Sequence, residues 1–587
     1  MRRAVALLAA VALASGASAA EQKRPNIVIL LADDWGFSDV GSFGSEIRTP
    51  NIDALAAAGV RFSNFHVAGT CSPTRAMLQT GVSNHRAGLG NMPETIPPEH
   101  VGKPGYDTEL NDRVVTMASL FRDGGYRTYL TGKWHLGRAP DKLPTARGYD
   151  HAFSLGDAGA DNFEQRPIEG LYQKADWTED GKPATLPKDY YSSRFVVDKM
   201  IDYIDRGRPG GKPFFASINF LANHIPVQAP DAYIARYRTA YHGGWTEIRA
   251  ARRNKAAALG IIPAGTPMVT MASTRDWNAL PPEERAAQAR AMAAYGGMAE
   301  AADVEIGRLI AHLKATGDYA NTVFVFLSDN GAEPTDPMAT WLSALNSRVH
   351  YDLAPESQGR RGSLTAIGPG WASAAVAPLR GYKFSATEGG LRVPLIIAWP
   401  GNPAMKAGTI AGRFAYVTDI APTLLALAQV PGHGASYRGK PVEPMTGANL
   451  WPVLSGATDS VHAPNQAIGY ELSGNAAVFR GDYKLVKNLP PTGTGEWHLY
   501  DIARDPGETR DLAAAMPALF KALQADYAAF AKRDQVLPMP AGYTAEAQIN
   551  RNGFNKNVRP KLLQLLAGLL VLGALVTGIV SWRRRKR

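Results

Sequence analysis

Residues 26–34 read Asn26-Ile27-Val28-Ile29-Leu30-Leu31-Ala32-Asp33-Asp34, and they decide the fold. A short uncharged run rich in β-branched side chains reads as a strand buried on both faces, as in a parallel sheet covered by helices. It stops abruptly at two carboxylates. Residues 214–220, 322–327 and 393–399 repeat the pattern. Helical periodicity lies between them, over 301–315 and over 50–58, where Thr49 can cap and Pro50 opens the first turn. Strands alternating with helices predict an α/β fold with a large, mostly parallel central sheet flanked by helices. Polar, Gly- and Pro-rich stretches at 91–112, 138–189 and 333–379 read as loops around the mouth of a site, and 229–284 as a helical insertion.

The texture changes after about residue 441. Strand patterns at 476–487 and 496–502 and an amphipathic helix at 516–532 predict a smaller α+β domain. The expected organisation is a catalytic domain over 21–441, the smaller domain over 442–537 and a linker over 538–561. Residues 562–582 are apolar and uncharged, long enough to cross a ~30 Å hydrocarbon core as a single transmembrane helix. The basic tail 583–587 follows directly and is expected to stay cytoplasmic, with the body outside. At the other end, 1–20 combine Arg2-Arg3, an apolar run and Ala17-Ser18-Ala19, the pattern of a secretory signal peptide. Alanine richness and the export signals point to the periplasmic side of a bacterial inner membrane.

Net charge is +10, but Arg2, Arg3 and the five terminal residues carry seven of those charges. The remaining body is nearly neutral, which argues against nucleic-acid binding. There is one cysteine, Cys71, which has no internal partner for a disulfide.

Its surroundings carry the chemistry. Cys71-Ser72-Pro73-Thr74-Arg75 is followed by Thr80-Gly81, and if Pro73 opens a helix, Cys71 sits at its N-terminus, where negative charge is favoured. Asp33-Asp34 and Asp329-Asn330 each follow a predicted strand, so four oxygen donors at two strand ends suit one hard cation, Ca²⁺ or Mg²⁺. Lys133 and His135, in Thr131-Gly132-Lys133-Trp134-His135-Leu136-Gly137, would face one anion if the segment is extended. His224 follows the predicted strand 214–220, and Lys383 precedes Glu388-Gly389-Gly390-Leu391-Arg392.

These motifs resemble the type I sulfatases of the alkaline phosphatase-like superfamily over about residues 24–537, with the middle blocks similar to bacterial arylsulfatases. The resemblance implies hydrolysis of sulfate monoesters to alcohol and sulfate. It implies that a formylglycine-generating enzyme oxidises Cys71 to formylglycine (3-oxoalanine). The aldehyde hydrate has two geminal hydroxyls, one to attack sulfur and one to expel sulfate afterwards, so a hard step is split in two. It implies Asp33, Asp34, Asp329, Asn330 and the modified Cys71 as metal ligands, with Ca²⁺ the expected ion. Arg75 would anchor the hydrate and the sulfate, and Lys133 a sulfate oxygen. His135 would take the proton that starts sulfate release, and His224 or Lys383 would protonate the departing alcohol. Gln79 stands where the family usually has an apolar residue. Two other readings use the same residues: a phosphonate monoester or phosphodiester hydrolase, and an inactive surface protein that binds sulfated ligands.

Overall fold

The computed structural model describes residues 23–586, so the expected signal peptide and the terminal Arg587 lie outside the described residues. The run at 26–34 folds as expected. Strand Asn26–Ala32 is buried along its whole length. Ile27, Ile29 and Leu31 enter one apolar core, while Val28, Leu30 and Ala32 enter the other. Successive side chains of a strand point to opposite faces, so only an unbroken apolar run can fill both cores at once.

Among the described residues the central sheet has ten strands. Its middle is parallel: Thr322–Ser328, Asn26–Ala32, Phe214–Asn219, Arg127–Lys133 and His151–Leu155, side by side in that order. The expectation of a mostly parallel sheet needs one amendment. Leu395–Ala398, inside the predicted strand 393–399, runs antiparallel to both neighbours, and the far edge beyond His151–Leu155 is antiparallel too. An apolar run reports burial on two faces and is silent on direction. Helices cover both faces, the longest being Pro282–Ala315, of which the predicted 301–315 is only the second half.

The stretches read as loops hold more structure than expected. Strands His151–Leu155 and Trp177–Glu179 of the central sheet lie within 138–189, and helices Trp341–His350 and Gly368–Ala375 within 333–379. Residues 229–284 contain helices Asp231–Arg236 and Gly244–Ala258, as anticipated.

Beyond residue 441 a four-stranded antiparallel sheet forms from Ala467–Leu472, Asn475–Arg480, Tyr483–Lys487 and Trp497–Asp501, with helix Pro517–Arg533 against it. The pattern at 476–487 divides into a hairpin at Gly481, and the strand Ala467–Leu472 carried no sequence signal strong enough to be read. Its sheet joins the main body through a buried charge cluster. Lys484 Nζ donates to Glu388 Oε1 at 2.8 Å and Glu508 Oε1 at 2.9 Å, and His66 Nε2 lies 3.0 Å from Glu388. Glu388 opens the Glu-Gly-Gly motif, so that motif fastens the two sheets together. Removing one partner of a buried ion pair leaves the other uncompensated. Lys484→Met should therefore destabilise the fold by about 3–5 kcal/mol, read as a lower midpoint in denaturant.

The expected linker is itself folded. Helix Ala545–Gly553 and the turn Phe554–Val558 continue into helix Arg559–Arg585. This helix is apolar, unburied and, by length and composition, long enough to cross a membrane.

Candidate active site

Parallel neighbours lie about 4.8 Å apart, so residues just past adjacent strand ends are held at contact distance. Asp33 and Asp34 follow the Asn26 strand, Asp329 and Asn330 the Thr322 strand, and Lys133 ends the Arg127 strand. His224 lies five residues beyond the Phe214 strand. Glycine makes two of these approaches feasible. A Cβ on Gly132 would stand 1.9 Å from the Asn219 carbonyl oxygen, and one on Gly331 would stand 1.9 Å from that of Gly389.

Cys71 is the first residue of helix Cys71–Thr80, buried at the positive end of the helix dipole. Thr74 Oγ1 accepts from the Ala68 amide at 2.8 Å, fixing the loop that delivers the cysteine. Gly81, in the left-handed region at φ 67°, ends the helix and donates to the Met77 carbonyl, which is why the motif closes on Thr-Gly. Gln79 is buried and accepts from the Tyr149 hydroxyl at 2.8 Å. A polar residue at that position is therefore satisfied.

Asp33, Asp34, Cys71 and Asp329 each offer a donor atom, all within 4.8 Å of one another and all buried. Cys71 Sγ is 3.4 Å from Asp33 Oδ1. Three cations surround this acidic knot. Arg75 donates through Nε and Nη2 to Asp329 Oδ2 at 2.9 and 2.6 Å, and through Nη1 to the Lys133 carbonyl at 2.9 Å. Lys133 Nζ meets Asp33 Oδ2 at 2.6 Å. Lys383 Nζ meets Asp34 Oδ1 at 2.9 Å and Glu333 Oε2 at 2.7 Å. His224 Nδ1 is held 2.7 Å from the Ile225 carbonyl, and its Nε2 is 3.8 Å from Asp34 Oδ2.

Two features favour a cation in this knot. Burial and the facing Asp329 push the Asp33 carboxyl up to about 8, despite Lys133 beside it. A charged Asp33 is thus poorly stabilised by the buried surroundings alone. Asn330 Oδ1 is buried without a hydrogen-bond partner, although its Nδ2 donates to Asp34. Apart from the Cys71 sulfur the donors are oxygens, mostly carboxylate with one free carbonyl oxygen, which is the chemistry of a hard divalent ion. Elsewhere in the site, burial would raise Asp34, but the Lys383 ammonium beside it holds it down at about 2. Burial and Asp329 push the Cys71 thiol well above its usual range. Burial and the neighbouring Lys383 and Lys133 drive His224 well below the ordinary histidine value, so its ring is neutral.

His135 arrives differently from the expected alternation. The strand ends at Lys133, and His135 sits in the left-handed region at φ 55°. Its Nε2 lies 3.2 Å from Glu94 Oε2, while Tyr172 donates to Glu94 Oε1 at 2.7 Å. His135 Nδ1 is buried and unpartnered. Glu94, Tyr172 and Glu333 were not read from the sequence. Glu333 lies three residues past Asn330 and had a local signal; Glu94 and Tyr172 join the site only through tertiary packing. A cavity of about 230 Å³ beside His135 and Glu94 is also lined by Asn552, Gly553 and Lys556, in the segment that leads into the C-terminal helix. A larger cavity of about 660 Å³, around Arg238, Trp277 and Arg285, shares no residue with this site.

Strand ends that gather carboxylates, a helix-terminal nucleophile position and a ring of cations define a hydrolase of tetrahedral oxyanion esters with an alkaline phosphatase-like fold. The sulfatase family model matches residues 25–430. An uncharacterized sulfatase of Schizosaccharomyces pombe is 39% identical over 545 residues, covering 90% of this chain and 97% of that one. An arylsulfatase of Klebsiella aerogenes is 38% identical over 452 residues, covering 76% and 96%. The crystal structure of Ps i-CgsB shares the fold, with a TM-score of 0.63 at 24% identity over 91% of this chain and 98% of that chain. The chain belongs to the sulfatase family, and it is a sulfatase of the arylsulfatase type, hydrolysing sulfate esters. Membership implies a metal ion and a formylglycine, and the acidic residues above could hold the ion. The phosphonate hydrolase alternative is not favoured by these relatives.

Proposed function

We propose that Cys71, matured to formylglycine by a dedicated modifying enzyme, is the nucleophilic position, and that Asp33, Asp34, Asp329 and Asn330 hold one Ca²⁺ beside it. The observation that carries this reading is the convergence of four donors within 4.8 Å, with a free Asn330 oxygen, inside a ring of three cations. The ion would supply Lewis acidity and the aldehyde hydrate a pair of geminal hydroxyls; the remaining roles belong to the chain. Arg75 fixes Asp329 and the carbonyl of Lys133, keeping the ligand set and the strand end in one geometry. Lys133 places a fixed positive charge where sulfate oxygens gather. His135 is the base for sulfate release. Glu94 accepts from Nε2–H, which leaves Nδ1, the unpartnered ring atom, to take the proton.

Lys383 and His224 flank Asp34 and are the two candidates for the leaving alcohol. His224 directs Nδ1–H to the Ile225 carbonyl and so presents a bare Nε2 lone pair, whereas Lys383 always carries a proton. Lys383 is therefore the better-placed donor, with His224 positioning the leaving oxygen. A general acid matters most when the alcohol is a poor leaving group. Lys383→Met should cost about 10²–10⁴-fold in kcat/KM on an alkyl sulfate and markedly less on nitrophenyl sulfate. Equal losses on both substrates would remove Lys383 from the acid role and leave it a structural cation.

For location, we read the C-terminal helix as a single-pass anchor, with the catalytic body exported to the periplasmic side and the basic tail in the cytoplasm. Its uninterrupted apolar length and zero burial support this. Protease treatment of intact spheroplasts should digest the body and spare a tag placed after Arg587.

A further inference from the structure

Helix Trp341–His350 has an unpartnered apolar face. Trp341 is 78% exposed, Leu345 50% and Val349 67%, a stripe at four-residue spacing. Ala344 and Ser347, on the other side of the helix, are buried against the body. Water is an unfavourable neighbour for three large apolar side chains in a row, and such a stripe marks a surface that is covered in use.

The neighbouring segment says by what. Asn346 on this helix donates to the Glu169 carbonyl at 2.9 Å. Asn557, in the turn Phe554–Val558 that runs straight into the C-terminal helix, donates to the very next carbonyls, Gly170 at 3.2 Å and Leu171 at 2.7 Å. One short segment thus clamps both helices. Asn557 is five residues before Leu562, where the apolar span begins, so about 8 Å of helix axis separates the clamp from the hydrocarbon edge. A headgroup layer is about 5–8 Å thick on each side of the core. Lys556, Arg559 and Lys561 project from the same turns, fully suited to anionic headgroups, and Phe554 and Val558 continue an exposed apolar surface from the span up to the clamp. On the anchor reading the clamp falls at headgroup level, and it holds the helix that carries the Trp341 stripe beside the start of the span.

We propose that Trp341, Leu345 and Val349 lie in the interface of the same lipid bilayer that the C-terminal helix enters. The helix is a second foot, and tryptophan is the residue type best suited to that depth. The inference rests on the anchor reading above. Two feet fix the tilt of the body, and they hold the cavity beside His135, lined by Asn552 and Lys556, about two turns of helix from the lipid.

The test uses full-length protein in phosphatidylethanolamine–phosphatidylglycerol vesicles. Single labels go on Leu345→Cys and, separately, on Leu570→Cys in the middle of the span, with Gly210→Cys on a remote turn as a control. Cys71 is buried and does not compete for the label. Each fluorophore is read for emission shift and for quenching by lipids brominated at different depths. The expected result is quenching of label 345 by lipids brominated near the headgroup, of label 570 by deeply brominated lipids, and of label 210 by neither. A quenched 570 with a 345 label that remains in water overturns the second foot and leaves the anchor standing. A 345 label that shifts to the blue without lipid quenching also overturns it, because another protein or a second copy then covers the stripe. An unquenched 570 label removes the anchor itself, and the proposal with it.

Discussion

Cys71→Ala is expected to lower turnover of an aryl sulfate by at least about 10⁴-fold, the scale seen when a covalent nucleophile is removed and binding groups remain. The fold should survive. Cys71 is small, its Sγ makes only long contacts to Asp33 and Asp34, and alanine suits the first turn of a helix. The decisive comparison is kcat/KM beside the unfolding midpoint, with protein made in a host that matures the wild type. Loss of rate at unchanged stability assigns the chemistry to this position. Retained activity would sink it. Cys71→Ser separates the two halves of the reaction. A serine can attack sulfur, but it has no second hydroxyl with which to expel sulfate. It should show at most one turnover per enzyme and then carry a sulfate ester detectable by peptide mass.

Removing the divalent ion should have the second largest effect. Without it, Asp33, Asp34 and Asp329 are three buried carboxylates balanced only by the chain's own cations, and the Asn330 oxygen has no partner. Chelation should abolish turnover. It should also lower stability by about 3–4 kcal/mol relative to protein held at 100 to 1,000 times the ion's Kd, the linkage expected for a ligand bound only by the native state. Both should return on adding Ca²⁺. Elemental analysis of untreated protein would identify the resident ion. If chelation leaves rate and midpoint unchanged with no divalent ion bound, the acidic knot is a structural cluster neutralised by Arg75, Lys133 and Lys383.

Much of this site was legible because its parts are local. Asp33-Asp34 and Asp329-Asn330 adjoin runs whose apolar character announces a buried strand, and a strand end is where a parallel sheet collects function. Cys71, Pro73 and Gly81 are spaced by the helix they form. The lysines and histidines were found through motifs rather than through period. In the case of His135 the periodic argument was misleading, since its backbone leaves the extended region. Glu94 and Tyr172 had no signal at all. They meet His135 across 41 and 37 residues of chain, and nothing local requires a carboxylate there.

The sequence by itself determined what depends on neighbours along the chain: the two-faced strand at 26–32, the helix that presents Cys71, the apolar length of the C-terminal segment, and the identity of the oxygen and nitrogen donors. Only the tertiary structure decided what depends on distance in space. It turned the Leu395 strand antiparallel, set Glu333 on Lys383 and Glu94 on His135, joined the two sheets through Glu388 and Lys484, and clamped the Trp341 helix beside the C-terminal one. The physical reason is the range of the forces. Periodicity and capping act within a turn or two and leave a mark on the local sequence. A buried charge or an exposed apolar stripe is explained by whatever the fold brings to it, from any position in the chain.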